Sequence, residues 1–135
     1  MKKRVISISL LFIIAIFLIS TYNYPLRQSE DVICKNIMEK IPLGTSFSEV
    51  FEQIGKERKW VIDTIFIGDG DFASGYDMDG YHKERFSSIT QGEMITVNIG
   101  KCTGFISRTD VVANFRFDEN YNLIDIEVIK YTDSL

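Results

Sequence analysis

Apolar residues run unbroken from Leu10 to Ile19 and fall into short periods over much of the chain after that. The run lies within a longer stretch, Val5 to about Tyr24, whose only polar side chains are uncharged, and Lys2, Lys3 and Arg4 precede it. Roughly 20 residues at about 1.5 Å each reach the ~30 Å of a bilayer core, and a helix satisfies its own backbone there. The pattern predicts a membrane anchor over residues 1–24. Its three cations belong on the cytoplasmic side, with Tyr22 and Tyr24 in the far headgroup layer. This reading gives a single pass through the inner (cytoplasmic) membrane, with the C-terminal domain outside the cytoplasm. A cleaved signal peptide begins in the same way, but no Ala-x-Ala follows this run. Cys34 lies too far along for a lipidated N-terminus.

After a linker at 25–28, Ser29 is placed to cap a helix with Glu30 and Asp31 in its first turn. Val32, Ile33, Ile37, Met38 and Ile41 share one face of it, with Cys34 on the same side. Pro42-Leu43-Gly44-Thr45 ends that helix. Ser46 and Glu49 then have the spacing of a capping box, and Phe47, Val50, Phe51 and Ile54 follow at helical intervals. Gly55 suits the left-handed C-terminal position, with Lys56, Arg58 and Lys59 near the negative end of the helix dipole.

Period two takes over after Trp60. Residues 60–67 are rich in β-branched and aromatic side chains, and Ile95, Val97 and Ile99 alternate with polar neighbours. Val111, Ala113, Phe115 and Phe117 form one face of a further strand. After a turn at 118–122, Ile124, Ile126 and Val128 form a matching face, which predicts an antiparallel hairpin. Residues 68–92 have no period; they read as a long loop, with or without an irregular strand near Tyr81 to Ser88. Loops of that length in compact domains carry function or move. The expected fold class is α+β: the transmembrane helix, then two short helices packed on an antiparallel sheet of three to four strands over residues 29–135.

Composition changes this picture in two places. All 19 acidic residues lie beyond residue 24 with 12 of the 15 basic ones, so the outer domain carries about −7. Nucleic acid and anionic surfaces reward basic faces, so nucleic acid is not an expected partner. The two cysteines, Cys34 and Cys102, would both be exported, which predicts a structural disulfide, with two buried free thiols as the alternative. On the disputed chain-entropy account the bond would stabilise the fold by about 4 kcal/mol.

Two segments resemble a known family. Gly44-Thr45-Ser46-Phe47-Ser48-Glu49-Val50 through Ile54-Gly55, and Phe115-Arg116-Phe117-Asp118-Glu119-Asn120-Tyr121-Asn122-Leu123, are similar to the helix and terminal hairpin of small bacterial envelope domains of the SmpA/OmlA type. These share a fold with β-lactamase-inhibitor-protein-like domains. The resemblance implies a helix-flanked sheet in a bacterial envelope that binds other proteins without catalysis. It covers about a third of the chain. Two departures count against an outer-membrane assembly role: a hydrophobic helix stands where the family carries a lipidated cysteine, and Lys56-Glu57 stands where a proline often follows the glycine.

The sequence carries little that suggests catalysis. His82 is the only histidine, and no Gly-x-Ser-x-Gly elbow accompanies any serine, Ser74-Gly75 reading as a turn. Asp69, Asp71, Asp77, Asp79 and Glu84 offer oxygen ligands of the kind calcium takes. Aligning Gly80 on the glycine of a calcium loop, however, puts Gly75 and Phe86 at ligand positions. Phe72, Tyr76, Tyr81 and Phe86 mix with these acids, a composition found both at interfaces and in cores. The expectation is a membrane-tethered, non-enzymatic, periplasmic protein-binding domain without a cofactor, metal or catalytic residue. Its candidate contact loop contains Phe72, Tyr76, Asp77, Asp79, Tyr81 and Phe86, and its partner is a protein of the envelope. Two alternatives stand beside it: an immunity or inhibitor protein against a toxin, and a small hydrolase or calcium-dependent site within 68–92.

Overall fold

The computed structural model describes residues 2–22, 24–104 and 106–134, without the side chains of 2–8, 20–22 and 134. Three α-helices come first: α1 (Lys2–Tyr22), α2 (Glu30–Lys40) and α3 (Phe47–Lys56). Seven strands follow: β1 (Val61–Gly68), β2 (Asp71–Ser74), β3 (Tyr76–Asp77), β4 (Gly80–Tyr81), β5 (Met94–Thr103), β6 (Ser107–Phe117) and β7 (Leu123–Ser134). Five of them form one antiparallel sheet in the order β2-β1-β5-β6-β7, and β3 and β4 pair as a separate hairpin. The sheet therefore exceeds the expected three to four strands. The additional member, β2, is drawn from the segment that shows no periodicity.

The helix α1 requires a further correction. Among the described residues, no helix is long and apolar enough to cross a membrane. The described side chains of α1 are those of residues 9–19, a length of about 16 Å, roughly half a hydrocarbon core. On these residues the expected transmembrane anchor, membrane partnership and single-pass inner-membrane location do not stand. The side chains of Lys2, Lys3, Arg4 and Tyr22, on which the orientation rested, lie outside the described residues.

The core lies between α2, α3 and one face of the sheet. Ile33, Ile37 and Ile41 from the α2 segment and Phe47, Val50 and Ile54 from α3 meet Ile62, Ile65, Ile95, Val97, Ile99, Val111, Ala113, Phe115, Phe117, Leu123, Ile126 and Val128. The capping box starts α3 as expected: the Glu49 carboxylate accepts the Ser46 backbone N–H at 3.3 Å and its hydroxyl at 3.0 Å. At its other end the helix runs through Gly55 to Lys56, so Gly55 does not take the left-handed stop position.

Three register shifts keep apolar side chains facing the core. One, between Ile62 and Thr64, lets both Ile62 and Ile65 face inward. A second, between Asn98 and Gly100, inserts Ile99. The third lies where Arg116 pairs with Asp125 and Phe117 with Leu123; it turns Ile124 out to solvent and puts Leu123 in the core in its place. Each is a bulge, an extra residue on one strand that resets which face the next side chain takes. The opposite sheet face is mixed: Thr96 donates to Asn114 at 2.9 Å and Arg116 is paired with Glu127 at 3.0 Å, while Phe66 and Phe72 lie exposed toward the β2 edge. One wet face is ordinary for an antiparallel sheet. The outer edge at β7 is partly closed, because Glu30 of α2 accepts the Lys130 backbone N–H at 3.0 Å.

The disulfide is also corrected: both cysteines are free. Cys34 on α2 donates to the Ile126 carbonyl of β7 at 3.0 Å, whereas Cys102 on β5 faces the Leu26 carbonyl at 3.6 Å. Strand β6 stands between β5 and β7. Cys34 is held over β7 and Cys102 lies on β5, so each thiol reaches a carbonyl of its own and the two do not meet. Burial, with Asp125 and Asp31 nearby, pushes the Cys34 thiol up.

Candidate interaction site on residues 68–92

The segment 68–92 is ordered by what lies beneath it. After a turn at Asp69-Gly70, β2 pairs back on β1, with Phe72 opposite Phe66 and their rings 6.1 Å apart. At Gly75 the chain leaves the sheet, its N–H bonded to the Asp63 carbonyl at 2.8 Å and its carbonyl accepting the His82 N–H at 2.6 Å. Between these two ties stands the β3–β4 hairpin. Only glycine fits at its base, because a Cβ on Gly75 would lie 2.5 Å from the Tyr81 ring and 3.0 Å from Phe86.

The hairpin turns at Met78-Asp79. Asp77 Oδ1 accepts the Asp79 N–H at 2.9 Å, the local bond that makes aspartate a turn residue. Gly80 supplies the positive φ that follows, at 128°. Met78 at the tip is 99% exposed, and the rings of Tyr76 and Tyr81 lie 5.0 Å apart at its sides. A short 3-10 helix, Lys83–Phe86, then carries Phe86 into the core, where it is 1% exposed. This turn and β4 occupy the region where an irregular strand near Tyr81 to Ser88 was one expectation.

A charged cluster braces the hairpin from one side. Arg85 pairs with Asp77 Oδ2 at 2.6 Å and donates to the Ser74 carbonyl at 3.3 Å. His82 stands between two carboxylates, with Nε2 3.2 Å from Asp77 Oδ1 and Nδ1 3.2 Å from Glu84 Oε1. A neutral imidazole has one N–H and can donate to only one of them, whereas the imidazolium donates to both. The Asp79 N–H, and after it His82 and Arg85, hold the Asp77 carboxyl below its ordinary range. Glu84 is lowered by its own backbone N–H and by His82. Burial raises the Tyr81 hydroxyl, with Tyr76, Asp63 and Glu84 adding to the effect.

This geometry separates the residues singled out in the sequence. Phe72, Tyr76 and Tyr81 are exposed and Asp79 lies in the turn. Asp77 is the hub of the cluster, and Phe86 belongs to the core. Sequence reasoning missed Met78, Phe66 and Arg85. For Met78 a signal was present: Tyr76-Asp77-Met78-Asp79-Gly80-Tyr81 is a turn sequence flanked symmetrically by aromatic residues. His82 has both ring nitrogens on carboxylates, so neither addresses a hydroxyl nucleophile as a catalytic triad requires. Ser74 Oγ instead accepts the Tyr76 N–H at 3.2 Å. Among the described residues no group of three or more His, Cys, Asp or Glu side chains could hold a metal ion.

No family model, curated protein or solved structure matches this chain. The resemblance to envelope domains rests on the two quoted segments alone.

Proposed function

We propose that the chain is a non-enzymatic protein-binding domain that engages its partner through the β3–β4 hairpin and the aromatic edge beside it. The observation that carries this reading is an apolar tip presented on a braced support. Met78 is fully exposed between Tyr76 and Tyr81, while Gly75, Arg85 and Phe86 hold its base. Methionine and tyrosine offer large contact area and are enriched where partners bind. A hairpin already fixed loses little freedom on binding, so more of its contact energy appears as affinity.

Asp77 and Glu84 are engaged by Arg85 and His82, but Asp69, Asp71 and Asp79 stay outside any ion pair among the described residues, so the rim of the hairpin is acidic and favours a basic partner surface. Complementary charge speeds encounter and selects partners. This acidity also favours a second reading within the same class, an inhibitor or immunity protein that covers the basic active site of a toxin.

The test is crosslinking of the tagged full-length protein in its native host, comparing wild type with Tyr76→Ala/Met78→Ala. Both side chains are exposed, so the variant folds. Loss of one specific crosslinked protein, with at least a thirtyfold drop in its affinity on purification (about 2 kcal/mol, the size of an interface hot spot), is the expected result. Capture unchanged by the double substitution would reject the hairpin as the contact. For the inhibitor reading, protection against the captured toxin should disappear in the same variant.

A further inference from the structure

The segment Pro25–Arg27 crosses the core side of the sheet near the end of β5, and Leu26 packs there over Gly100. A Cβ on Gly100 would lie 2.7 Å from Leu26 Cδ1. Beside Leu26 a narrow apolar slot of about 150 Å³ runs between α2 and Trp60, walled by Leu26, Ile33, Ile37, Trp60 and Ile99. The slot opens into a wider cleft of about 540 Å³, whose lining includes Tyr24, Lys56, Glu57, Arg58 and Lys59. The two share Pro25, Leu26, Trp60 and Ile99 and so form one continuous depression.

Its charge is opposite to that of the chain. The chain carries −4, yet Lys40, Lys56, Arg58 and Lys59 line this depression against Glu57 alone. Lys40 is paired with Glu57 at 2.8 Å and Lys56 with Glu52 at 2.9 Å. Arg58 and Lys59 make no ion pair among the described residues. Lys56, in the last turn of α3, complements the helix dipole, and Arg58 and Lys59 extend the positive charge just past the helix end.

We infer that this depression binds an anionic amphiphile with a single alkyl chain, its carboxylate or phosphate head on Arg58 and Lys59 and its chain running along the apolar wall of the cleft into the slot, against Leu26, Ile37, Trp60 and Ile99. A guanidinium beside an ammonium suits either head group, since arginine donates to both in a bidentate fork. The slot itself favours an alkyl chain over a peptide. Asn36, Lys40 and the Trp60 indole N–H supply its polar side-chain groups, too few for a buried peptide backbone, which would need partners for every N–H and C=O. The cleft's volume falls within the ~300–1,000 Å³ usual for small-molecule sites.

Trp60 is the only tryptophan of the chain, so its fluorescence reports on this site. The full-length protein is titrated with dodecanoate and dodecyl phosphate below their micellar concentrations, and with dodecanol and dodecyltrimethylammonium as neutral and cationic counterparts. Apolar residues of α1 can also take up such molecules, so the reading is the Trp60 signal and its dependence on charge. A saturable spectral shift is expected with the two anions, at least tenfold tighter than with the neutral and cationic chains. Arg58→Ala/Lys59→Ala should weaken the anions about tenfold and leave dodecanol unchanged; both residues are exposed, so an unaltered circular-dichroism melt confirms the fold. A preference between carboxylate and phosphate identifies the head group, and equal binding shows recognition of charge alone; both outcomes support the site. Equal affinity for all four chains, or no effect of the double substitution, overturns the inference. So does an acidic peptide that binds as tightly as dodecanoate, since it would not need the slot.

Discussion

The hairpin at residues 76–81 and the cleft beside Trp60 use charge in opposite ways. At the hairpin the charges are spent internally. Arg85, His82, Asp77 and Glu84 engage one another and the turn backbone, and the apolar groups Met78, Tyr76 and Tyr81 are left outward. At the cleft the apolar groups are turned inward, and Arg58 and Lys59 are left facing solvent without ion pairs among the described residues. A surface that satisfies its own charges and exposes fixed apolar tips suits a macromolecular partner. A concave apolar wall with free cations at its mouth suits a small anion with an apolar body.

Perturbations should separate the two regions, and the largest effect is expected beneath the hairpin. Phe86 anchors the whole segment in the core, so Phe86→Ala should cost about 3–5 kcal/mol by leaving a cavity, read by urea denaturation. A loss below 1 kcal/mol would show that the segment is not moored there. Gly75→Ala comes next. Its methyl group would press on Tyr81, Phe86 and the Ile62 carbonyl, at about 1–3 kcal/mol. Faster hydrogen exchange at the amides of Tyr76 and His82, with β6 and β7 unaltered, should localise the damage.

Acid should act on the hairpin and spare the cleft. Asp77 and Glu84 are held below the ordinary carboxylate range, so the folded hairpin binds fewer protons there than an open one does. Their stabilisation is complete above that range and is lost as pH falls through the lowered values. Both groups are solvent-exposed, so the effect is local. Protection of the Asp79 amide, corrected for its intrinsic exchange rate, should fall as pH drops below the ordinary carboxylate range, and Asp77→Asn should remove the part of that loss that Asp77 carries. The smallest effect on stability belongs to the cleft: Arg58→Ala/Lys59→Ala should stay within about 0.5 kcal/mol of wild type. A larger loss would mean that those cations support the fold.

The regions also differ in how far the sequence specified them. The α3 start was legible from Ser46 to Ile54, because a capping box and a one-face stripe are local signals that burial then reinforces. The pairing of β6 with β7 was legible for the same reason, since alternation at Phe115 and Ile126 admits only one face to the core. Ile124 was assigned inward because strict alternation has no means of announcing a bulge. That shift depends on Leu123 finding room beside Phe117. Phe86 could not be told from an exposed interface aromatic, and β2 could not be told from loop, since four residues contain too little of a period.

By itself, then, the sequence determined the helical stripe of α3, that of α2 apart from Val32, which faces solvent, the long strands and the turn residues, because each is written in neighbours a few positions apart. The tertiary structure decided where the bulges fall, that β2 joins the sheet, that Cys34 is held over β7 while Cys102 lies on β5, and that Arg85 and His82 meet Asp77. It also decided that Leu26 and Trp60, far apart in the chain, wall one cleft. These outcomes depend on the space left when distant segments pack together, and a local pattern carries no record of that space.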